Sequence, residues 1–303
     1  ELKWGTDPND LTNTAIGGEY FWQEGDSTLR SNHHIVVLDD QLEAGQTYYY
    51  MIPQFNEKVH SFDAPPAPST TEKVAFTILG DAQGNPYIQE LNVKRMIDRY
   101  GVDGIDFTVN TGDFVNYDDN MMEWATFFNK KSYGKIIDSV PVIGPSGNHE
   151  TYTLSSDSPP KENYKVFFQN NYGNGLYPNG WNDNTKNLGC YYSFNYSNVH
   201  FTVLDNFENE PRVLSQEQLN WLDQDLARNE DNWKFITFHL SMYSTSDHGP
   251  DAKLQEQLEP LMYKHKVNAL FYGHDHIYES YHINSTSSEY PGTYAFLCAG
   301  GGG

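Results

Sequence analysis

Residues 267–276 read Val-Asn-Ala-Leu-Phe-Tyr-Gly-His-Asp-His, a stretch that joins a buried strand to two closely spaced imidazoles. Its first part, from Val267 to Phe271, is short, apolar and rich in residues that favour strands. His274 and His276 stand two residues apart, so in an extended backbone their side chains project to the same side. That spacing lets the two rings reach two different points, as a pair of metal ions requires. Because His-x-His also occurs by chance in surface loops, its meaning depends on how the other strands end.

The composition is that of a folded protein with a strongly acidic surface. Apolar residues make up 38% of the 303 residues, which is enough for a globular core, and the formal net charge is −22. Such a surface repels nucleic-acid phosphates, so we expect no binding to duplex nucleic acid. No run of residues is long and apolar enough to predict a membrane span. A phosphorylated substrate would need a metal ion to offset the repulsion.

Weaker features favour an extracellular, periplasmic or cell-surface location, that is, a secreted protein. These features are a composition rich in Tyr, Asn and Gly and poor in Lys. Asn195 and Asn284 begin glycosylation sequons, but such sequons often occur by chance and carry no weight for the location. No signal peptide begins at Glu1, and the abrupt start and the final glycines predict a longer precursor. Cys190 and Cys298 permit either one disulfide or two free thiols, and the sequence leaves both open.

The chain divides at the proline-rich residues 63–70. The pattern before this stretch is all-β, and after it strands alternate with helices, which favours an α/β core of buried sheets covered by helices. We therefore expect one domain over residues 1–70 and a second over 71–303. The long polar stretch 151–189 predicts a functional or mobile loop.

Helix-start signals appear at three points of the second part. Asn85 before a proline predicts a capped helix with Ile88, Leu91, Met96 and Tyr100 on one side. Ser215 and Gln218 have the spacing of a capping box, and Pro250 predicts the start of another helix.

Five predicted strands are followed directly by residues of the types that often bind metal ions in proteins. These are Gly80-Asp81, Gly112-Asp113, Gly147-Asn148-His149-Glu150, His239 and Gly273-His274-Asp275-His276. Each alone has an ordinary explanation as a turn or a core residue. Five in succession predict one site, because ligands gather at the carboxyl ends of strands in open α/β sheets. We expect Asp275, between the two histidines, to be a solvated turn residue.

The residue types suit one chemistry. Carboxylates, an amide oxygen and imidazoles are donors for Mn, Fe, Zn, Ni or Co rather than for thiophilic metals. A shared carboxylate can hold two ions about 3.5–4 Å apart, as in two-metal phosphoryl displacement. A hydroxide bridging the two ions would then attack phosphorus.

In their order, these five motifs resemble those of the calcineurin-like metallophosphoesterases, and the chain is most similar to the purple acid phosphatase-like branch. Residues 191–194 and 199–201, and His248-Gly249 in the segment after His239, resemble that branch as well. The β-rich start resembles its fibronectin-III-like N-terminal domain, incomplete at the N-terminus. The resemblance implies an αββα metallophosphoesterase sandwich with a dinuclear centre at its edge.

The resemblance also implies a role for each matched residue. Two divalent ions (Fe, Mn, Zn or similar) would be held by Asp81, Asp113 and His276 at the first site and by Asn148, His239 and His274 at the second, with Asp113 bridging. His149 and His248 would lie near the substrate phosphate, where they donate hydrogen bonds or protonate the leaving group.

Two positions depart from the family pattern. Asn116 stands where purple members have a tyrosine, and Tyr117 one residue later points elsewhere in an extended backbone, so we expect no tyrosinate-to-iron colour. Gln83 stands where many other members have a histidine ligand. We treat Gln83 and Asn116 as candidate contacts to metal or substrate.

The leading hypothesis is hydrolysis of a small phosphate ester by an acid phosphatase-like phosphomonoesterase. A phosphodiesterase or nucleotidase is the nearest alternative on the same site. From another class, the chain could be a cell-surface binding protein with a non-catalytic fold, although the intact ligand set disfavours this.

Overall fold

The structure is a computed structural model that describes the chain in segments. The described residues are 1–23, 30–36, 38, 42–55, 57–68, 70, 73–129, 131–156, 158, 160–168, 190–208, 212–230, 232–285 and 290–299. Most of the predicted loop at 151–189 lies outside them, because residues 157, 159 and 169–189 are not described.

The strands of the first 63 residues pair with one another. They are β1 Leu2–Gly5, β2 Asn13–Ala15, β3 Gly18–Gln23, β4 Arg30–Ile35, β5 Thr47–Met51 and β6 His60–Asp63. They form an antiparallel sheet in the order β2-β1-β5-β6 and a hairpin of β3 and β4. This confirms the all-β start. We propose that they form a separate domain ending near residue 70, because Leu2, Trp4 and Tyr48 give it a core of its own; its fibronectin-III-like character stays a prediction.

The second part alternates strands and helices, as the sequence predicts. Its elements are β7 Phe76–Leu79, α1 Pro86–Tyr100, β8 Phe107–Asn110, α2 Met121–Phe127, β9 Val142–Ile143, α3 Glu162–Phe167, β10 Tyr192–Tyr196, β11 Val199–Val203, α4 Gln216–Arg228, β12 Trp233–Thr237, α5 Ala252–His265, β13 Ala269–Tyr272, β14 Tyr278–Asn284 and β15 Gly292–Cys298. Helix α3 lies inside the stretch 151–189 that was predicted as a loop, and strand β14 is missing from the sequence prediction. It is an edge strand whose side chains are all exposed or half-buried, so no apolar run marks it.

Two sheets pack face to face, and helices cover their outer faces. The smaller sheet is parallel, in the order β7-β8-β9, and the larger is mixed, in the order β10-β11-β12-β13-β15-β14. Alternation along β13 shows the layering: Phe271 packs between the sheets, whereas Leu270 packs on the helical side. Helices α4 and α5 cover the larger sheet, and α1, α2 and α3 cover the smaller. The predicted αββα arrangement is confirmed.

Helix α1 begins as predicted and buries part of the predicted face. The side chain of Asn85 accepts a hydrogen bond from the Ile88 N–H and caps the helix. Met96 is buried as predicted and Ile88 and Leu91 are half-buried, but Tyr100 is 55% exposed, so the prediction was wrong for Tyr100. The fully buried stripe also includes Val93 and the polar Gln89, which the apolar pattern does not mark.

Helices α4 and α5 depart from their predicted starts in small ways. Ser215 caps α4 by accepting from the Gln218 N–H, but the Gln218 side chain binds the backbone of Asp205, so the capping box is half formed. Helix α5 begins two residues after Pro250, and the Asp251 side chain caps it.

The described residues also bear on the two cysteines and on membrane-spanning helices. Cys190 and Cys298 are both thiols and do not form a disulfide. Among the helices of the described segments, none has the length and apolar character that crossing a membrane requires.

Candidate metal centre

The six predicted ligands come together where strands of both sheets end. Asp81, Asp113 and His276 form one group whose ligand atoms lie within 4.8 Å of one another, and Asp113, His239 and His274 form a second. Asp113 belongs to both groups, which is the placement of a bridging ligand. Asn148 joins the second group, because its Oδ1 lies 2.9 Å from His274 Nδ1 and 3.1 Å from His239 Nε2.

Three of these residues have left-handed backbone conformations. The φ angles are 55° at Asp81, 54° at Asp113 and 78° at His274. Residues other than glycine rarely adopt such angles, and the cost is about 1–3 kcal/mol each. Strain at three residues of one site indicates that the surrounding fold holds their side chains in fixed directions.

Neighbouring glycines make room for the ligands. A Cβ at Gly147 would lie 2.0 Å from Asp113 Oδ1, and one at Gly273 would lie 2.4 Å from Asp81 Oδ2. A Cβ at Gly112 would lie 2.5 Å from His239 Nδ1. These three positions therefore require glycine, because the backbone there lies too close to the ligand side chains to leave room for a Cβ atom.

Hydrogen bonding sets the orientation of the buried His239. Its Nδ1 lies 2.9 Å from the Thr111 carbonyl oxygen, which can only accept, so Nδ1 carries a proton. Nε2 then faces the site, 3.3 Å from Asp113 Oδ2. A backbone carbonyl that holds the far nitrogen of a histidine is the usual support for a metal-binding imidazole.

Burial and the neighbouring charges shift the protonation of the site. Burial alone would raise the pKa of Asp113, but the charge of His239 and its hydrogen bond outweigh burial and lower it. Burial would lower the pKa of His239, yet Asp113 raises it to about 9. Burial lowers the pKa of His274 to about 3, so that ring is neutral and ready to ligate. Since His239 must lose a proton to ligate, metal affinity should rise with pH below about 9.

The residues present fit divalent metal ions. The Asp81 side chain is fully buried, and its Oδ2 has no hydrogen-bond partner among the described residues. A buried carboxylate oxygen without a partner is unfavourable unless a cation binds it. Together with the O/N donor set, this supports ions such as Mn, Fe or Zn.

The two departures from the family pattern both lie at the site. Gln83 Nε2 donates to Asp113 Oδ2 at 3.0 Å and lies 3.1 Å from His276 Nε2, so Gln83 contacts the ligands of the first group. The Asn116 carbonyl lies 3.1 Å from His149 Nδ1. Whether either side chain contacts a metal or the substrate stays a prediction.

The two predicted catalytic histidines border the ligands. The His149 N–H donates to Asp113 Oδ1 at 2.9 Å, and its ring Nε2 lies 3.9 Å from Asp113 Oδ2. The ring of exposed His248 lies 4.5 Å from that of His274, centroid to centroid. Both rings can therefore meet a substrate bound at the ligand cluster.

Two supporting residues were not assigned a role from the sequence. The buried Glu150 accepts hydrogen bonds from the N–H groups of Asp113, Phe114, Val115 and Gly147, and so ties together the loops after β8 and β9. Asn206 Oδ1 accepts from the N–H groups of His239 and Leu240. Asn206 follows strand β11, so the rule that found the ligands at strand ends could have found it too.

The prediction for Asp275 was wrong. Its side chain is buried, and Oδ1 accepts from the His248 N–H at 3.3 Å. The turn that separates His274 from His276 is packed against the segment carrying His248, and Asp275 is the point of contact.

Two β-sheets between helices, with carboxylates, an amide and imidazoles gathered at their strand ends, define the class of dinuclear metal hydrolases. The family model of calcineurin-like phosphoesterases matches residues 74–278, well over half of the chain. The chain belongs to the calcineurin-like phosphoesterase family.

Known relatives lie in the predicted branch. The chain is 26% identical to purple acid phosphatase 21 of Arabidopsis thaliana, over 82% of this chain and 53% of that protein. It is 25% identical to purple acid phosphatase 22 of the same plant, over 92% of this chain and 60% of that protein. The chain thus spans little more than half the length of these relatives.

A solved structure has the same fold. The purple acid phosphatase from yellow lupin (Lupinus luteus) seeds superimposes with a TM-score of 0.73 at 19% identity, covering 99% of this chain and 59% of that one. A dimetal phosphatase from Danio rerio gives a TM-score of 0.53 at 16% identity, covering 76% of this chain and 87% of that one.

Proposed function

We propose that the chain hydrolyses small phosphate monoesters at a dinuclear metal centre. The observation that carries this proposal is the pair of ligand groups that share Asp113. Asp81, Asp113 and His276 would hold one ion, and Asp113, Asn148, His239 and His274 the other. Two bound divalent ions supply Lewis-acid stabilisation of the phosphoryl oxygens and an activated water.

The chain's own residues orient the substrate and handle its proton. His149 lies beside Asp113 on the rim of the cluster, and His248 lies over His274. A ring N–H at either position can donate to a phosphoryl oxygen or to the departing alcohol oxygen. The Asn116 backbone carbonyl accepts from His149 Nδ1–H, so Nε2 faces the substrate and donates to it only when the ring carries a second proton.

The proposal also includes the class of substrate and the location of the protein. The relatives are named phosphatases, which supports a small phosphorylated substrate, and the net charge of −22 supports the exclusion of duplex nucleic acid. We also propose that the chain acts outside the cytoplasm. Asn284 is exposed and free to carry a glycan, whereas the Asn195 amide oxygen lies 2.8 Å from His200 Nδ1.

The proposed function is tested with metal-loaded protein and a matched pair of substrates, 4-nitrophenyl phosphate and its bis ester. We expect the monoester to be hydrolysed with the higher kcat/KM. Faster hydrolysis of the diester would favour the phosphodiesterase alternative. A metal-loaded protein inactive on both would favour the binding protein.

A substitution of His149 tests its role. His149→Ala should lower kcat by about a hundredfold, the lower end of general acid–base contributions, while metal content stays unchanged. His282→Ala, the same change at an exposed histidine of β14, is the control and should leave kcat unaltered. Loss of metal from His149→Ala would instead make His149 a ligand.

A further inference from the structure

The residues around His248 form an irregular segment beside the proposed metal centre. This segment, residues 241–249, lies between β12 and α5, and we call it the His248 segment. It begins at the buried Ser241, whose hydroxyl donates to the Gly273 carbonyl at 2.7 Å. Most of its residues from Thr245 onward are exposed, so burial alone does not fix the part that carries the histidine.

A carboxylate of the edge strand β14 holds this exposed part. Glu279 Oε2 accepts the Thr245 N–H at 3.1 Å, and Oε1 accepts the hydroxyl of the same threonine. Two bonds from one residue to one carboxylate fix both the position and the direction of that residue. Hydrogen bonds to an ionised carboxylate are also stronger than those between neutral groups. The exposed part of the His248 segment is therefore tied to the larger sheet.

Glu279 is itself held in place. The Tyr281 hydroxyl donates to Glu279 Oε2 at 2.5 Å. Residues 279 and 281 lie on the same face of β14, and both belong to the ladder that pairs this strand with β15. The hydrogen bonds from Thr245 and Tyr281 lower the pKa of Glu279, so the carboxylate is charged near neutral pH. Thr245 thus meets an acceptor that the sheet has already oriented.

The position of Thr245 determines that of His248. A short turn joins them and ends at Gly249, whose φ of 73° lies in the region that favours glycine. Beyond Thr245, the His248 N–H donates to the buried Asp275 at 3.3 Å. The His248 ring then lies 4.5 Å from the ring of His274, centroid to centroid, with 31° between their planes. A shift of Thr245 would move this ring relative to a proposed metal ligand.

We propose that Glu279 is a positioning residue for His248. By holding Thr245, it keeps the His248 ring over His274, where the ring meets the phosphoryl group of a bound substrate. Glu279 lies on β14, outside the proposed ligands and the two catalytic histidines, and it acts through the backbone of the His248 segment. The proposal rests on the proposed function and adds to it a residue that does not touch the substrate.

The first test measures kcat/KM of the metal-loaded protein for phenyl phosphate. Glu279→Ala should lower it about tenfold, the scale of one hydrogen bond to a charged group, with metal content unchanged. His248→Ala should lower it about a hundredfold. The double variant should be no less active than His248→Ala alone, because Glu279 acts only through that ring. Glu279→Gln keeps one acceptor oxygen and should lose less than Glu279→Ala. Glu256→Ala, at an exposed position of α5, is the control and should leave kcat/KM unchanged.

The second test does not depend on turnover. Hydrogen–deuterium exchange of the metal-free protein reports directly on the His248 segment. The amides of Thr245 and His248 should exchange about tenfold faster in Glu279→Ala than in wild type, while the amides of β13 keep their rates.

The outcomes separate this proposal from the one on which it rests. If wild type hydrolyses no phosphate ester, the proposed function fails and the role of Glu279 in the reaction fails with it. If wild type is active, the inference alone is overturned when Glu279→Ala or His248→Ala is fully active, or when their effects multiply in the double variant. Unchanged exchange at Thr245 overturns it as well.

A variant on the other side of the contact covers the case in which Glu279→Ala does not fold. Thr245→Val, at an exposed position, removes the hydroxyl with little change of shape. It should lower kcat/KM about threefold, and only when His248 is present. A Thr245→Val protein with wild-type activity overturns the inference.

Discussion

Asp113→Asn should greatly weaken both metal binding and turnover. The side chain keeps its shape, but it loses the negative charge and one of the two oxygens with which it meets both ligand groups. An amide nitrogen cannot ligate, so at most one of the two ions keeps a ligand at this position and the bridge between them is lost. We expect kcat/KM to fall on the order of a thousandfold, which corresponds to about 4 kcal/mol of lost transition-state stabilisation.

Asp103→Asn, the same change at an exposed position between α1 and β8, is the control for this variant. It should retain wild-type activity and metal content. If Asp113→Asn kept full activity with its metals bound, Asp113 would not be a bridging ligand. A fold control is provided by circular dichroism, which should be unchanged because the substitution is nearly isosteric.

Glu150→Leu should cause the largest loss of stability of any single substitution at the site. The carboxylate accepts four backbone N–H groups from the loops after β8 and β9, and leucine leaves all four buried without an acceptor. Each orphaned N–H costs about 1–3 kcal/mol before relaxation. Allowing for relaxation and water entry, we expect the free energy of unfolding to fall by about 4 kcal/mol in denaturant titrations.

Glu150→Gln separates the acceptor role from side-chain volume. Glutamine keeps one oxygen but turns an NH₂ group toward N–H donors, so its loss should be smaller than that of Glu150→Leu. Metal affinity should fall in both variants by about 10–100-fold, as for other supporting residues of metal sites. An unfolding free energy within about 0.5 kcal/mol of wild type for Glu150→Leu would show that the loops are held by other contacts.

The αββα arrangement and the gathering of the candidate ligands at one edge could be predicted because each depends on local patterns. Phe271 and Leu270 alternate along an apolar strand, and the strand of His239 ends, like the others, in a polar residue. These apolar runs can be read from a single sequence, because a strand that is buried on both faces must carry apolar residues on both. Ordered motifs at strand ends then imply a common site, since parallel strands end at the same edge.

What could not be predicted depends on contacts between distant segments. Gln89 is polar, so the apolar pattern of α1 does not mark it as inward, yet it is buried and lines a cavity between α1 and α2. Asp275 reads as a turn residue, but the segment after β12 folds over it and buries it. Strand β14 carries no apolar run, because one edge of a sheet needs none.

The central claim, a dinuclear centre built around Asp113, is tested most directly by elemental analysis of the purified protein after metal loading and removal of excess ions. The two ligand groups that share Asp113 predict about two divalent ions per chain. A stoichiometry of one ion or none, in protein that is folded and fully loaded, would contradict it.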